Sequence, residues 1–337
     1  MGVDTVGERV LAVLSQMGAA AGATGGAAAR VTELTGGTYN ALHSVELADG
    51  ERLVLKTPPP ADAPRLRYET ELLHGEALFY QSAAAVGVPA PRVLHAQPLE
   101  SAAGGAFLLM SHLPGRTWWE VAEGMAAPER DRLRASLGAM VARLHTVTGP
   151  GFGYPAQSTG RLTGRWAPAF AAMAGALLDD AERHRPWLPR PVPAIRAALA
   201  AAAPALDEVT VPALVHFDLW PGNVLLDGPA GARTISGLID GERMFWGDPL
   251  ADFASLSLFM PEAESDPAFL SGYGAAGGRT VFDAAAARRI ALYRCYLYLI
   301  MLVEVVPRGY GGEHVAWLRE FTGPRLDAAL DAVAGVS

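Results

Sequence analysis

Two carboxylates and a carboxamide stand in this chain at a spacing suited to handling a phosphoryl group. In Leu214-Val-His216-Phe-Asp218-Leu-Trp-Pro-Gly-Asn223-Val-Leu-Leu226, Asp218 and Asn223 lie five residues apart across a Pro-Gly turn. An apolar strand follows directly, and a second strand over residues 234–240 ends on Asp240. Asp227-Gly228 and Gly231 supply the turn between them, so a hairpin returns Asp240 to the neighbourhood of Asn223 and Asp218. Phosphoryl transfer needs a carboxylate that orients the attacking hydroxyl and takes its proton. It also needs hard oxygen ligands that hold magnesium against the phosphates. Asp218 suits the first role; Asn223 and Asp240 suit the second.

A second candidate stands far upstream. Lys56 is the only lysine in a chain of 337 residues whose Lys and Arg together number 27. It ends the alternating run Arg52-Leu-Val-Leu-Lys56, which follows the hairpin signal Asp49-Gly50 and stops at Pro58-Pro59-Pro60. Strand-like residues 31–35 and 39–47 precede it, separated by Gly36-Gly37. Helical periodicity is expected over 66–85, and a short strand pair over 92–95 and 107–110. After Leu113-Pro114-Gly115 the pattern turns helical, over 128–147, 167–184, 193–203 and most of 250–335 with a loop near 273–278. The strand-rich island 213–240 interrupts that half. An amphipathic helix is expected at 5–18, followed by a small-residue linker.

The order of these signals resembles the aminoglycoside phosphotransferase family within the protein-kinase-like fold. The family's catalytic loop reads His-x-Asp-x-x-x-x-Asn, matched by His216, Asp218 and Asn223, with Asp240 at the metal position. Gly247-Asp248-Pro249-Leu-Ala-Asp252 resembles the family's Gly-Asp-Pro-x-x-Asp. Two positions depart from it: Phe217 stands where Gly is usual and Trp220 where His is common. The resemblance implies an α+β bilobal fold, with a small β-rich nucleotide-binding lobe (1–109), a hinge (110–115) and a larger, mainly helical catalytic and acceptor-binding lobe (116–337). It also implies that Lys56 contacts the phosphates and that Glu76 pairs with it, with Glu69 and Glu71 as rivals. Gly36, Gly37 and Thr38 would cover the phosphates with backbone N–H groups. Met110 and His112 would lie in the hinge that receives the base of ATP or GTP. The resemblance spans roughly residues 30–255.

Several residues have plainer readings. His216 is expected to pack the catalytic loop rather than carry protons. Asp248 and Asp252 are expected to brace loops and cap a helix, and His145 to be structural. Trp118, Trp119 and Trp246 divide between acceptor pocket and core. Cys295, the only cysteine, is expected in the core; a disulfide and a zinc-cysteine cluster are excluded. The net charge of -8 argues against a nucleic-acid binder. Residues 297–303 are too short an apolar run to span a bilayer, and no signal-peptide pattern is present, so a cytoplasmic location is expected.

The expected function is an NTP- and magnesium-dependent transfer of phosphate to a hydroxyl of a small molecule, most simply an antibiotic. The alanine- and arginine-rich composition suits a GC-rich bacterial genome, in which resistance or self-protection is a reasonable role. An aminoglycoside-like acceptor would need an acidic pocket, which Glu262, Glu264, Asp266 and Glu304 could provide; a nucleoside antibiotic of the capuramycin type would not. The alternatives are a metabolite kinase of the choline, homoserine or fructosamine class, and a nucleotide-binding pseudokinase. A protein kinase fits less well, because no Ala-Pro-Glu element follows Asp240. Oligomeric state is left open.

Overall fold

The computed structural model describes residues 30–34, 39–97 and 106–335. The helix expected at 5–18 and the glycine turn Gly36-Gly37-Thr38 lie outside the described residues. Five antiparallel strands come first, β1 (Arg30–Leu34), β2 (Ala41–Glu46), β3 (Arg52–Thr57), β4 (Val93–Gln97) and β5 (Phe107–Ser111), in the order β1-β2-β3-β5-β4. One helix, α1 (Leu72–Ala85), lies between β3 and β4 in the chain.

The period-two alternation of a strand decides which side chains reach the site. Leu53 and Leu55 of β3 join Val45, Phe107 and Leu109 in a small core on one face of the sheet. Val54 and Lys56 therefore point to the other face, with Leu108 and Met110 opposite them in register. Leu108 and Met110 belong to the main core with the apolar side of α1. A lysine placed one residue earlier or later in β3 would point away from α1.

The helical expectation at 66–85 is corrected at its start. Residues Arg67–Glu69 form a single 3-10 turn, and Glu71 takes a left-handed conformation (φ 58°) that separates it from α1. Glu69 is drawn out of any continuous helix by two pulls. Its carboxylate accepts the Leu66 N–H at 2.7 Å and pairs with Arg308 at 2.6 Å.

The remainder is mainly helical, with α2 (Trp118–Val121), α3 (Ala127–Leu144), α4 (Trp166–His184), α5 (Val192–Ala202), α6 (Asp252–Leu256), α7 (Pro267–Ala275), α8 (Ala284–Val303) and α9 (Gly312–Ala334). Two small strand groups interrupt it. β6 (Arg116–Thr117), β8 (Val224–Asp227) and β9 (Thr234–Leu238) pair in that order, and β7 (Ala213–Val215) pairs with β10 (Phe245–Gly247). The loop expected near 273–278 begins later, since α7 continues to Ala275 on a start capped by Asp266, which accepts the N–H groups of Ala268 and Phe269. The long 250–335 helical stretch is also broken at 257–266 and 304–311. Gly115 (φ 109°) closes the crossing from the sheet to β6. A Cβ there would meet the Leu226 carbonyl oxygen at 2.4 Å, so both the backbone angle and the space demand glycine. No helix among the described residues is long and apolar enough to cross a membrane.

Candidate active site

The β8–β9 hairpin does what its turn residues predict. Val224 faces Leu238, and the Ile239 N–H donates to the Asn223 carbonyl at 3.0 Å, so the chain returns Asp240 beside the Asp218–Asn223 turn. Asn223 is buried, and its Nδ2 donates to the Asp218 carbonyl at 2.8 Å, which leaves its side-chain oxygen as its remaining ligand atom. Asp240 sits at φ 62°, a conformation that aspartate tolerates better than most residues. Its N–H donates to the Tyr80 hydroxyl at 2.9 Å.

Lys56 joins the two halves of the molecule. Its Nζ lies 2.8 Å from Glu76, 2.5 Å from Asp240 and 2.7 Å from Glu242. Glu76 is thus the helix partner, held further by the Tyr80 hydroxyl donating to it at 2.6 Å. Its two rivals are elsewhere: Glu69 pairs with Arg308, and Glu71 ends the turn before α1. Burial alone would lower the Lys56 pKa, but the three carboxylates outweigh it and keep the ammonium protonated. Burial pushes Glu76 up despite Lys56. For Asp240 the burial effect is overcome by Lys56, and the carboxyl is held below its usual range. Glu242 was not anticipated in this role. Its spacing, two residues beyond Asp240, is the only sequence signal for it; Asn40 fixes it through a 2.6 Å hydrogen bond.

Oxygens of Glu76, Asp240 and Glu242 all lie within 4.8 Å of one another. Lys56 already occupies the middle of that group, so it is a lysine-centred cluster with more carboxylates than cations rather than a closed metal cage. Asp240 is the member that opens outward: its side chain is 40% exposed, against 0% for Glu76 and 8% for Glu242. A hard divalent cation fits this donor set, with Asp240 and the Asn223 oxygen as ligands and the surplus charge drawing it in.

Asp218 is mostly buried. Burial pushes its carboxyl up to about 6, opposed by Arg243 and reinforced by Asp240 and Glu242. Arg243 approaches Asp218 at 3.8 Å and Glu304 at 3.0 Å, and Glu304 in turn meets Arg308 at 3.2 Å. Sequence reasoning missed this Arg243–Glu304–Arg308–Glu69 chain, which joins residues up to 239 positions apart.

The backbone of the His216–Asn223 loop is braced from behind. Asp252 accepts the N–H groups of His216 (3.3 Å) and Phe217 (2.7 Å) and meets His145 Nε2 at 3.0 Å. His216 Nε2 donates to the Ile239 carbonyl and Nδ1 accepts the Asp218 N–H, while burial lowers its pKa, so it is a neutral bracing residue. Asp248 caps Leu250 and receives Arg289 and Tyr293. Phe217 explains why glycine suits its position: it sits at φ 63°, which costs a side chain of its size about 1 kcal/mol or more. Asp252 and contacts with Phe245 and Tyr296 hold it there. Trp118, Trp246 and Cys295 are buried in the core, whereas Trp119 is exposed.

Replacing Asp252 by alanine removes a buried charge that three groups share. The expected cost is about 3 kcal/mol or more, seen as a drop of several degrees in the thermal midpoint. A midpoint within one degree of the wild type, about 0.3 kcal/mol, would remove Asp252 from this bracing role.

The expected hinge begins inside the sheet. Met110 and Ser111 are still within β5, with the Met110 side chain buried in the main core. The His112 N–H is taken by the Arg52 carbonyl at 3.1 Å, completing the sheet ladder. Among the described residues the Leu113 N–H has no such partner.

The arrangement is that of a bilobal kinase-like fold, with an antiparallel sheet presenting Lys56 to a carboxylate-rich helical half. Residues 30–291 match the model of the phosphotransferase enzyme family (APH), and the chain belongs to that family. Acyl-CoA dehydrogenase family member 11 from Rattus norvegicus is 27% identical over 236 residues, 68% of this chain and 28% of that protein. The Mus musculus protein of the same name is 25% identical over 240 residues with the same coverage, so the chain spans about 28% of the length of the curated relatives it matches. A solved protein from Thermobifida fusca described as a fructosamine-3-kinase superposes with a TM-score of 0.62 at 24% identity, covering 90% of this chain and 95% of that one. Aminoglycoside phosphotransferase APH(4)-Ia in a ternary complex with ADP and hygromycin B gives 0.58 at 19% identity, covering 94% and 97%. A GDP complex of an aminoglycoside 2'-phosphotransferase-IIIa mutant gives 0.56 at 17% identity, covering 90% and 93%.

Proposed function

We propose that this phosphotransferase moves the terminal phosphoryl group of ATP or GTP to a hydroxyl of a small molecule, most simply an antibiotic, as a resistance or self-protection enzyme. The observation that carries this reading is the meeting of Lys56 with Asp240 across 184 residues, beside an Asn223 bonded to the backbone of Asp218. Solved relatives of the same fold hold ADP in one case and GDP in another, which supports a nucleotide site here.

In this reading Lys56 contacts the phosphates from the sheet side, and Glu76 and Glu242 keep its ammonium in place. Asn223 and Asp240 would hold magnesium, which supplies charge neutralisation at the phosphate oxygens. Asp218 orients the acceptor hydroxyl and takes its proton as that oxygen bonds to the terminal phosphorus. The bond from this phosphorus to the bridging oxygen breaks, and the nucleoside diphosphate leaves. Residues 112–115 would meet the base through backbone atoms, with the Leu113 N–H, unpaired among the described residues, as a donor. The division into nucleotide-holding residues before this stretch and acceptor-binding residues after it belongs to the same proposal.

Asp218 must be ionised to accept a proton. Its raised pKa therefore predicts that kcat/KM falls as pH drops through about 6 and levels off above it. Initial rates of phosphoryl transfer across a pH series test this. A rate that stays level well below that point would take the proton-accepting role away from Asp218.

A further inference from the structure

The acidic residues that an aminoglycoside-like acceptor would need are already neutralised. Glu264 pairs with Arg294 at 2.6 Å and Asp266 with Arg134 at 2.6 Å. Glu304 is shared by Arg243 and Arg308, and Glu69 is held by Arg308. Glu262, largely exposed, reaches Arg294 at 3.6 Å. A polycation arriving here would find each of these acids already in contact with an arginine, and capturing any one of them would weaken the hold on a buried or half-buried arginine.

What the surface beside Asp218 does offer is aromatic. Trp220, two residues after Asp218, lies 5.9 Å from the Trp119 ring and 5.8 Å from Phe259. Phe259 stacks on Phe321 at 4.9 Å, and Phe321 on Trp317 at 5.1 Å, with interplanar angles of 21° and 14°. Trp119, Phe259 and Trp317 are 52%, 36% and 42% exposed; Trp317 is stacked by His314, Phe321 and Phe259, and Arg325 covers Phe321 at 3.8 Å, so Trp119 is the most exposed ring of the row. Phe259 is held at φ 60°, an uncommon conformation for a bulky side chain. The far end of the row also returns to the site: Trp317 stacks on His314, His314 meets Tyr310, and Arg308 donates to the Tyr310 hydroxyl at 3.4 Å. Arg308 and Glu304 then lead to Arg243 and Asp218.

We propose that this aromatic row is the acceptor subsite, and that it selects an uncharged acceptor carrying a flat aromatic or heteroaromatic ring. The proposal rests on the phosphotransferase reading of Asp218. Two arguments favour a small molecule over another occupant. Both ends of the row are linked to residues around Asp218, and the acids near it are taken up by arginines rather than offered to a cationic ligand. A flat ring gains offset stacking on the exposed Trp119 indole, with the stacked Phe259–Trp317–Phe321 group behind it, whereas a polyamine sugar has no face to stack.

Saturation-transfer NMR with uridine, chloramphenicol and kanamycin as separate probes, at saturating AMP-PNP and magnesium, tests this. The wild type is expected to transfer saturation to the ring protons of uridine or chloramphenicol, and not to kanamycin. Trp119→Ala and Trp317→Ala, at exposed positions, are each expected to cut that signal at least fivefold while the thermal midpoint and AMP-PNP affinity hold. Kanamycin binding in place of the ring probes, no ring-probe signal, or a ring-probe signal equal in wild type and variants would each overturn the proposal. So would a wild-type dimer in sedimentation velocity that Trp317→Ala dissolves without changing the probe signal, because the row would then be a self-association surface. AMP-PNP titration on the same samples separates the two readings. Failure of the nucleotide to bind the wild type would count against the kinase reading, whereas ring-probe failure with intact nucleotide binding would count against the subsite alone.

Discussion

Lys56→Met is expected to lose both stability and activity, and the stability loss should shrink as pH falls. The ammonium sits 2.5 to 2.8 Å from three carboxylates, two of them almost fully buried. Removing one partner of a buried ion pair costs about 3–5 kcal/mol, because the partner charge stays desolvated and unpaired. Here three charges are left. The variant's remedy is protonation of Glu76, whose folded-state pKa is already raised by burial and would rise further without the lysine. An acid with a folded pKa above its unfolded value binds more protons in the native state. Its contribution is therefore fully present below the unfolded pKa and is lost as pH rises through the folded one. Denaturant melts of the variant should thus show stability recovering from pH 8 toward about pH 5, relative to the wild type. Turnover should fall by about a hundredfold or more at every pH, since the positive group proposed to meet the phosphates would be gone. A variant as stable as the wild type at pH 8 would contradict the cluster's electrostatics.

Asp218→Asn is expected to separate function from stability. Asparagine keeps the size of the side chain and removes the proton acceptor, so turnover should drop by about 10²–10⁴-fold. Nucleotide affinity should stay within about threefold, because Asp218 is not among the groups around Lys56. Stability should hold or rise above neutral pH. Burial raises the Asp218 pKa, so its ionised form is costly in the folded chain, and the neutral amide avoids that cost. Arg243 still keeps Glu304 at 3.0 Å when the aspartate is gone. Equal losses of nucleotide affinity and turnover would contradict the role given to Asp218, and a large fall in stability would make it a structural residue.

The parts of the site that were legible in the sequence are those set by short-range rules. Strand alternation aims Lys56 and turn chemistry brings Asp240 back to Asn223, whereas Glu76 came from the family resemblance alone, with Glu69 and Glu71 left as rivals. Glu242 was less visible, since a carboxylate two residues past Asp240 has no fixed direction until the Gly241 turn is known. That turn packs against Phe79, where a Cβ at Gly241 would come within 2.4 Å of the ring. The longer connections had no local signal at all. Glu69 meets Arg308 and Trp220 meets Phe259 only because the helical half closes on itself. The same closure neutralised the acids that had looked available to a cationic acceptor, and it turned Trp119 outward while burying its neighbour Trp118. The end of the sheet was equally hard to see before the expected hinge: ladder pairing continues through Ser111 and uses the His112 N–H.

The most direct test of the central claim is mass spectrometry of the reaction mixture. Wild type and Asp218→Asn would be incubated with magnesium, ATP or GTP, and a panel of hydroxylated antibiotics and metabolites that includes ring-bearing neutral compounds. One compound gaining a single phosphoryl group with the wild type, and failing to do so with the variant, is the predicted result. Product formed equally by both proteins, or no phosphorylated compound from a wild type that binds the nucleotide, would contradict it.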